Sequence, residues 1–433
     1  MDNKKPFISS MGQVLPHGYE NRMVTILGLA FGFVMFDRFA LANLQNYLME
    51  DLGLNYAQLG IASSVFSITW AIVGLFGSWL ADTKMSRRKL LMIVILLFSV
   101  FSLLTGFVTS FLALVVVRLV MGCFEGTVSP VSHSFIVPQS SDNRRGMNMG
   151  LVQVSAVGLI SSMLGPIIQV RLAETIGWRY TFAVTIIPGV IIALLVAKFL
   201  INPEVGIQES KDAAEKAAPE APKQSGGDII RILKERNLLV SLFGAIFLFA
   251  WYVCMLIYTP AVLTNVKGLS NEDMSYVMAA LGVGAIVWGV VIPKISDVLG
   301  RKPLVIFGIL LACASTFLLN IAPANVPLLM VLAFLSWSGA SVFVLLTSTI
   351  PAESGDPRYV ATTIAIIAAV GELVGSTVGA IVMGVVADKY GLEVMFPVLA
   401  ACMIVCFIIA CFYKESAPLV VARREAKKSA TAK

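Results

Sequence analysis

Charge is what this chain has least of. Only 13% of its 433 residues are Asp, Glu, Lys or Arg, against about 25% in soluble domains, while 58% are hydrophobic. That excludes an ordinary cytosolic protein. The formal charge of +6 is no nucleic-acid footprint either, because Lys and Arg sit in short loops beside apolar runs. Histidine is nearly absent (His17 and His133). The six cysteines, Cys123, Cys254, Cys313, Cys402, Cys406 and Cys411, all fall inside apolar runs. Neither a disulfide framework nor a thiolate metal site is expected from them, and no cofactor is. No Walker-type phosphate loop, His-Glu-x-x-His zinc motif or nucleotide fingerprint occurs, and only one polar stretch is long, so an enzyme is not expected. The first apolar run is full length and lacks a small-residue cleavage site, so it reads as a span and not a signal peptide.

What is there is apolar sequence in runs of about 20, enough to cross a hydrocarbon core of ~30 Å as helix. Twelve spans are predicted, at roughly 23–44, 57–81, 90–108, 111–137, 149–171, 180–201, 239–264, 273–295, 304–321, 326–350, 360–386 and 392–412. They divide the chain into an N-terminal tail (1–22), a first six-helix bundle (23–201), a polar linker (202–238), a second six-helix bundle (239–412) and a basic tail (413–433). The linker is charged, contains proline and reads as solvated; 228–234 has the pattern of a short amphipathic helix at the membrane surface. Lys4, Lys5, Lys84, Arg87, Arg88, Lys89, Arg144, Arg145, Arg301, Lys302, Arg358, the linker and the tail all fall on one side of this map. The opposite loops hold only Arg171, Arg179, Lys267 and Lys389. By the positive-inside rule both termini are expected in the cytoplasm, and a bacterial inner membrane is the expected setting.

The chain also repeats itself. Asp82-Thr83-Lys84-Met85-Ser86-Arg87-Arg88 ends the second span and Asp297-Val298-Leu299-Gly300-Arg301-Lys302 ends the eighth, Lys302 following Arg88 by 214 residues. The same offset relates Pro138…Arg144 to Pro351…Arg358, Gly165 to Gly379, and Ala173-Glu174…Gly177…Phe182 to Ala387-Asp388…Gly391…Phe396. Two parallel repeats of a helical membrane unit are the build of a rocking transporter. The expected fold is therefore an all-α membrane protein with twelve transmembrane helices in two pseudo-symmetric six-helix bundles. A monomer suffices for it.

On these residues the chain resembles the major facilitator superfamily over nearly its whole length. The acid-then-basic loop after span 2, repeated after span 8, looks like that superfamily's cytoplasmic loop motif. The resemblance makes Asp82, Arg87, Arg88, Asp297, Arg301 and Lys302 gating residues. The second copy matches well, whereas the first has Ser78 where the family usually has Gly and places Arg87 one residue late. Within the superfamily the best match is the anion:cation symporter family, which takes up sugar acids, aromatic acids and other organic anions with protons. Asp37-Arg38 in span 1, Arg118-Leu119-Val120-Met121-Gly122-Cys123-Phe124-Glu125-Gly126 in span 4 and Gly177-Trp178-Arg179 before span 6 carry that resemblance. Span 11 departs from it, reading Gly371-Glu372-Leu373-Val374-Gly375 where the family commonly has an Asn near Glu372.

Asp37, Arg38, Arg118, Glu125 and Glu372 thus lie inside predicted spans. An ionised side chain at helix centre costs roughly 2.5–3.5 kcal/mol even on the lenient insertion scale. These groups must face one another or water. Arg118 and Glu125, seven apart, return to nearly one face, separated by about 10.5 Å of rise, and Asp37 and Arg38 point about 100° apart. The pairing expected crosses helices, with Asp37 or Glu125 against Arg118. Structural ion pairs between spans 1 and 4 are the alternative, but ionisable groups in a membrane usually mark a substrate or proton path. An incoming substrate carboxylate competes for an Arg through two parallel hydrogen bonds. The protein acid then loses its counter-charge and takes up a proton, so anion and proton bind with positive coupling. Asp37 and Glu125 are the expected proton sites, and Arg38 or Arg118 the anion site. His133 can titrate near neutral pH, although a helix-end polar role is simpler.

The equivalents of Asp37, Arg118 and Glu125 in the second half are Trp251, Leu332 and Gly339. The charge machinery is therefore in the first half. Trp251, Tyr252, Tyr258, Trp337, Ser338 and Thr347 of spans 7 and 10 can grip the uncharged part of a substrate by ring contact and hydroxyl hydrogen bonds, or simply pack. Glu372 is read three ways: as an acceptor for substrate hydroxyls, a partner for a cation, or a second proton site. The expected function is proton-coupled uptake of a small organic anion by alternating access. The alternative is proton-coupled efflux or exchange of amphipathic or cationic compounds, which Glu372 and the aromatic residues allow.

Overall fold

Twelve helices of the computed structural model are long and apolar enough to cross a bilayer. They are spans 1 to 12, at Tyr19–Asn43, Tyr56–Val73, Arg87–Thr105, Phe111–Gln139, Met147–Ile176, Trp178–Phe199, Arg236–Val266, Asn271–Leu299, Arg301–Ile321, Val326–Ser354, Thr363–Tyr390 and Leu392–Ala410. The structure describes residues 7–9, 13–83, 85–141, 144–203, 235–355, 360–418 and 420–423. The Asp82 side chain, Arg358 and the helix expected at 228–234 lie outside the described residues. The chain is an integral membrane protein. Exposed side chains such as Val116, Leu194, Val374, Val382, Val385 and Ile408 give the helices an apolar exterior that lipid, not water, accommodates.

The chain forms two compact units, Met1–Gly53 with Val65–Lys223 and Leu54–Ser64 with Gln224–Lys433. In the first, a two-stranded hairpin (Phe7–Ile8 with Val14–Leu15) precedes span 1, so the expected tail is partly ordered. Span 1 begins at Tyr19, four residues earlier than the hydropathy suggests, because Tyr19 and Glu20 are buried in a polar cluster. Glu20 accepts from the Ser141 amide (3.1 Å) and Asn148 Nδ2 (2.7 Å), and Tyr19 donates to Gln139 Oε1 at 3.0 Å. Of the most apolar 18-residue stretch of span 1, 78% of residues are buried, and of its counterpart in span 7, 61%, against 28% for span 5. The Asp37-Arg38 pair thus rides on the most enclosed helix.

The offset of 214 residues governs backbone shape as well as sequence. Spans 5 and 11 carry π-helical stretches at Val157–Met163 and Gly371–Val378. Gly177 and Gly391, at the turns that follow, have φ of +86° and +84°, a left-handed backbone that glycine adopts without strain. The carbonyls of Gly106 and Val108, just beyond span 3, match those of Asn320 and Ala322, at the end of span 9. Arg179 Nη1 donates to the first pair at 3.1 and 2.8 Å, and Lys267 Nζ to the second at 3.1 and 2.6 Å. The carbonyl sites are repeated, but the cation comes from a different loop in each half. Burial lowers the pKa of the Lys267 ammonium.

Spans 2 and 4 approach at backbone contact. A Cβ on Gly126 would lie 2.2 Å from Trp70 O, and one on Gly122 2.1 Å from Thr69 Oγ1. Small residues here bring Phe66, Ser67 and Trp70 against span 4. Gly126→Ala is expected to cost about 1–3 kcal/mol through overpacking, seen as a lower Tm in detergent. An unchanged Tm would show that the two helices part without cost.

Candidate functional site

Four ionisable side chains meet inside the first unit. Asp37 and Glu125 are fully buried, Arg118 is 1% exposed, and Arg38 is half-buried. Arg118 lies within electrostatic reach of Asp37, Glu125 and Arg38, and Glu125 likewise feels Asp37 and both arginines. The expected cross-helix pairing takes a looser form than a contact ion pair. Both Glu125 oxygens, Asp37 Oδ2, and Arg118 Nε and Nη2 are buried without a hydrogen-bond partner. Buried groups of this kind are rare in proteins and demand an explanation.

Rings and hydroxyls hold the cluster. The Arg38 guanidinium stacks over Phe66 and Trp70, 5.2 Å from each ring centroid, and its Nη2 donates to Ser67 Oγ at 3.3 Å. Arg118 lies 5.8 Å from the same Phe66 ring. Span 2 therefore separates the two like charges with an aromatic face, where cation–π attraction offsets part of their desolvation. Ser102 of span 3 donates to Asp37 Oδ1 at 2.5 Å and shares a 2.8 Å hydrogen bond with Thr185 of span 6. Phe66, Ser67, Trp70, Ser102 and Thr185 are not visible as site residues in the sequence: neutral side chains on apolar helices give no signal of their own.

In the second unit the expected contacts are largely spent on their own bundle. Tyr258 donates to Ala380 O (2.5 Å), Ser338 to Gly308 O (3.1 Å) and Trp251 Nε1 to Thr316 Oγ1 (3.2 Å). Thr347 donates to Phe343 O at 2.7 Å. Trp337 is buried against Trp251 and Tyr252, with ring centroids at 5.8 and 5.3 Å. Tyr252 and Glu372 are half-buried. Glu372 sits in the π-helical stretch of span 11, beside Gly371 and Gly375, whose missing side chains admit Phe249 of span 7. His133 lies against Gln153 of span 5, whose amide also donates to Ser129 Oγ.

The loop residues divide unequally. Arg301 pairs with Asp297 (2.6 Å) and Glu353 (2.7 Å), and its amide donates to Glu415 Oε1 at 2.7 Å. Lys302 Nζ caps Cys411 O at 2.7 Å. In the first unit the counterpart of Glu353 is Gln139. Arg87 Nη1 there donates to Ser134 O at 3.3 Å, and Arg88 Nη1 to Leu200 O at 3.3 Å. Ser416 Oγ also binds Glu353, at 2.8 Å, so the segment after span 12 is stapled to the loop. These groups adjoin a cavity of about 690 Å³ that none of the expected proton or substrate residues lines.

A family model described as Major Facilitator Superfamily matches residues 27–300 and again 274–433. The chain belongs to the major facilitator superfamily. It is 27% identical over 262 residues to the hexuronate transporter of Bacillus subtilis strain 168, a match covering 59% of each chain. Less than two thirds of that relative is therefore spanned. It is 24% identical over 382 residues to the D-galactonate transporter of Escherichia coli O6:H1 strain CFT073, covering 82% of this chain and 86% of that one. Among solved structures it is similar to the D-xylose-proton symporter, with a TM-score of 0.74 and 16% identity over 92% of this chain and 99% of that chain. At that identity the likeness shows the shared superfamily fold. The named relatives fit the anion:cation symporter resemblance that Asp37-Arg38 and the Arg118…Gly126 run first indicate.

Proposed function

We propose that this superfamily member takes up a small organic anion, of the sugar-acid or related carboxylate class, together with protons by alternating access. The observation that carries the reading is the buried constellation of span 1 and span 4. Two acids and a guanidinium within electrostatic reach, with five polar atoms unpartnered, are poised to exchange charge partners. The names of the relatives support the carboxylate class.

The roles follow from accessibility. Arg38 is half-buried and pre-set by Phe66 and Trp70, so it is the guanidinium an entering carboxylate meets, through two parallel hydrogen bonds. Arg118 is enclosed and serves as the shared counter-charge of Asp37 and Glu125. Once the anion neutralises Arg38, Glu125 loses part of its stabilising field and takes up a proton. Asp37 is the second proton site. Tyr252 and Glu372 contact the rest of the substrate, with Tyr258, Trp337 and Ser338 as the wall behind them. The loop residues Asp82, Arg87, Arg88, Asp297, Arg301 and Lys302 gate the movement. Cytoplasmic termini and a bacterial inner membrane complete the reading.

A ligand screen tests it. Purified protein is heated with D-galactonate, D-glucuronate, benzoate, succinate and cationic drugs at about pH 5.5 and about pH 8, a range that spans carboxylate titration in buried sites. At least one acid is expected to raise Tm, and to raise it more at the lower pH. Stabilisation by the cations alone would replace this reading with efflux.

A further inference from the structure

Asp37 has no exposed surface, so a proton reaches it only through protein or through transient water. The unit offers two hydroxyls in series to it, Ser102 and Thr185, with a third, Thr181, one turn further along span 6. Ser102 Oγ donates to Asp37 Oδ1 at 2.5 Å, and Ser102 Oγ and Thr185 Oγ1 are 2.8 Å apart. Thr185 Oγ1 is held in turn by Phe182 O at 2.6 Å. One turn earlier on span 6, Thr181 Oγ1 donates to Gly177 O at 3.0 Å, which brings hydroxyls to the turn between spans 5 and 6. Ser102 is fully buried, Thr181 is 2% exposed and Thr185 6%. Asp37 of span 1, Ser102 of span 3 and Thr185 of span 6 contribute to this line. The other Asp37 oxygen, Oδ2, is buried and unpartnered. One oxygen is thus tied to the hydroxyls, while the carboxyl as a whole lies within electrostatic reach of Arg118 and Glu125 of span 4.

We propose that Thr185 and Ser102 form a hydroxyl relay that delivers protons to Asp37 from the loop face carrying Gly177. This rests on Asp37 being a proton site, and it separates the proton's route from the anion's. A hydroxyl both donates and accepts, so two in series pass a charge without either becoming ionised for long. The step is balanced. A hydronium ion at the Thr181 end gives one proton to Thr185 Oγ1. The proton Thr185 already held moves to Ser102 Oγ, and that of Ser102 moves to Asp37 Oδ1. Each hydroxyl ends with one hydrogen, the carboxylate has gained one, and a water is left behind. Rotation about the two C–O bonds resets the line, with Phe182 O holding the Thr185 hydrogen between passages. Ser102 and Thr185 are positioning and relay residues and touch no substrate. With both termini in the cytoplasm, the Gly177 face is the outer one, which is where the protons that drive uptake come from.

The test needs no substrate. The full-length protein in detergent is jumped from about pH 8 to about pH 5, and the rise of the protonated carboxyl stretch is followed by time-resolved infrared spectroscopy. The Asp37 band is the one missing in Asp37→Asn. Thr185→Val keeps the shape and removes the hydroxyl. It is expected to slow the band's rise at least tenfold while leaving its titration midpoint in place, and Thr185→Ser is expected to restore the rate. Ser102→Ala is expected to slow the rise and move the midpoint as well, since Ser102 also binds the carboxylate directly. Thr185→Val protonating at the wild-type rate, or changing only the midpoint, would overturn the relay while leaving Asp37 as a proton site. Absence of any Asp37-dependent band would overturn the proton-site reading and the relay with it.

Discussion

Asp37→Asn combined with Glu125→Gln is expected to reduce proton-driven accumulation of an anion substrate to background, while exchange of internal for external anion continues at a measurable rate. Net uptake needs a group that binds a proton in one state and gives it up in another. Exchange needs only that the loaded carrier reorient. Asn and Gln fill the volume of the acids but cannot titrate, so the binding site survives and the coupling does not. The two acids are buried beside one guanidinium, where each is sensitive to the loss of its counter-charge. The measurement is labelled-acid uptake into proteoliposomes with an imposed inward proton gradient, compared with exchange in the same vesicles. If the double variant still accumulates substrate with the gradient, neither acid couples, and the charges of spans 1 and 4 are a structural lock.

The sequence makes the spans legible because membrane crossing is a matter of length and composition, which a run of apolar residues states outright. All twelve predicted spans correspond to helices, and the ends shift where a polar group is buried by tertiary contact, as Glu20 is by Ser141 and Asn148. Asp37, Arg38, Arg118 and Glu125 are legible for a related reason. A charge in an apolar run is an anomaly that one residue can announce. Ser102 and Thr185 announce nothing, since serine and threonine are common in such helices and satisfy their hydroxyls on backbone carbonyls. Their role depends on which helices are neighbours. Trp337 and Ser338 show the reverse difficulty: their chemistry suits a binding site, but the faces they take in their own bundle bury the ring and spend the hydroxyl on Gly308. The Gly177-Trp178-Arg179 turn is recognisable as a motif, yet its partner Asp51 is not. Asp51 Oδ2 accepts from Trp178 Nε1 (3.1 Å) and Arg179 Nη2 (2.8 Å) across 127 and 128 residues of chain.

The halves have kept one backbone and divided the work. The offset preserves the π-helical stretches at Val157–Met163 and Gly371–Val378, the left-handed turns at Gly177 and Gly391, and the capped carbonyls beside spans 3 and 9. It does not preserve the buried charges, which belong to the first unit. Nor does it preserve the Arg301–Glu353–Glu415 clamp, because Gln139 and Ile201 occupy the matching places. A position free of geometric duty is free to specialise, so the charge cluster of spans 1 and 4 and the loop network around Arg301 lie on different repeats.

Arg38→Ala and Arg118→Ala are expected to fail differently, and the contrast separates the anion site from the counter-charge. Truncating one partner of a buried, hydrogen-bonded charge pair costs about 2–5 kcal/mol. At 1.4 kcal/mol per decade, Arg38→Ala is therefore expected to weaken anion binding by at least about 30-fold at about pH 5, and also to flatten the part of the pH dependence that passes through Glu125, because the charge whose neutralisation drives that proton uptake is gone. Arg38→Lys keeps the charge but not the planar fork or the stacking on Phe66 and Trp70, and is expected to recover only part of the loss. Arg118→Ala acts on the acids. Without their shared guanidinium, Asp37 and Glu125 lose the enclosed counter-charge, with only the half-buried Arg38 still in reach of Glu125, and they hold their protons across the neutral range. In the wild type, affinity should fall as pH rises, by about tenfold per pH unit for each proton taken up with the anion. In Arg118→Ala that slope is expected to flatten while binding at about pH 5 stays near wild type. Titration calorimetry at several pH values reads both effects. Near-wild-type binding at about pH 5 in Arg38→Ala together with lost binding in Arg118→Ala would exchange the roles of the two arginines, and unchanged binding in both would place the anion elsewhere.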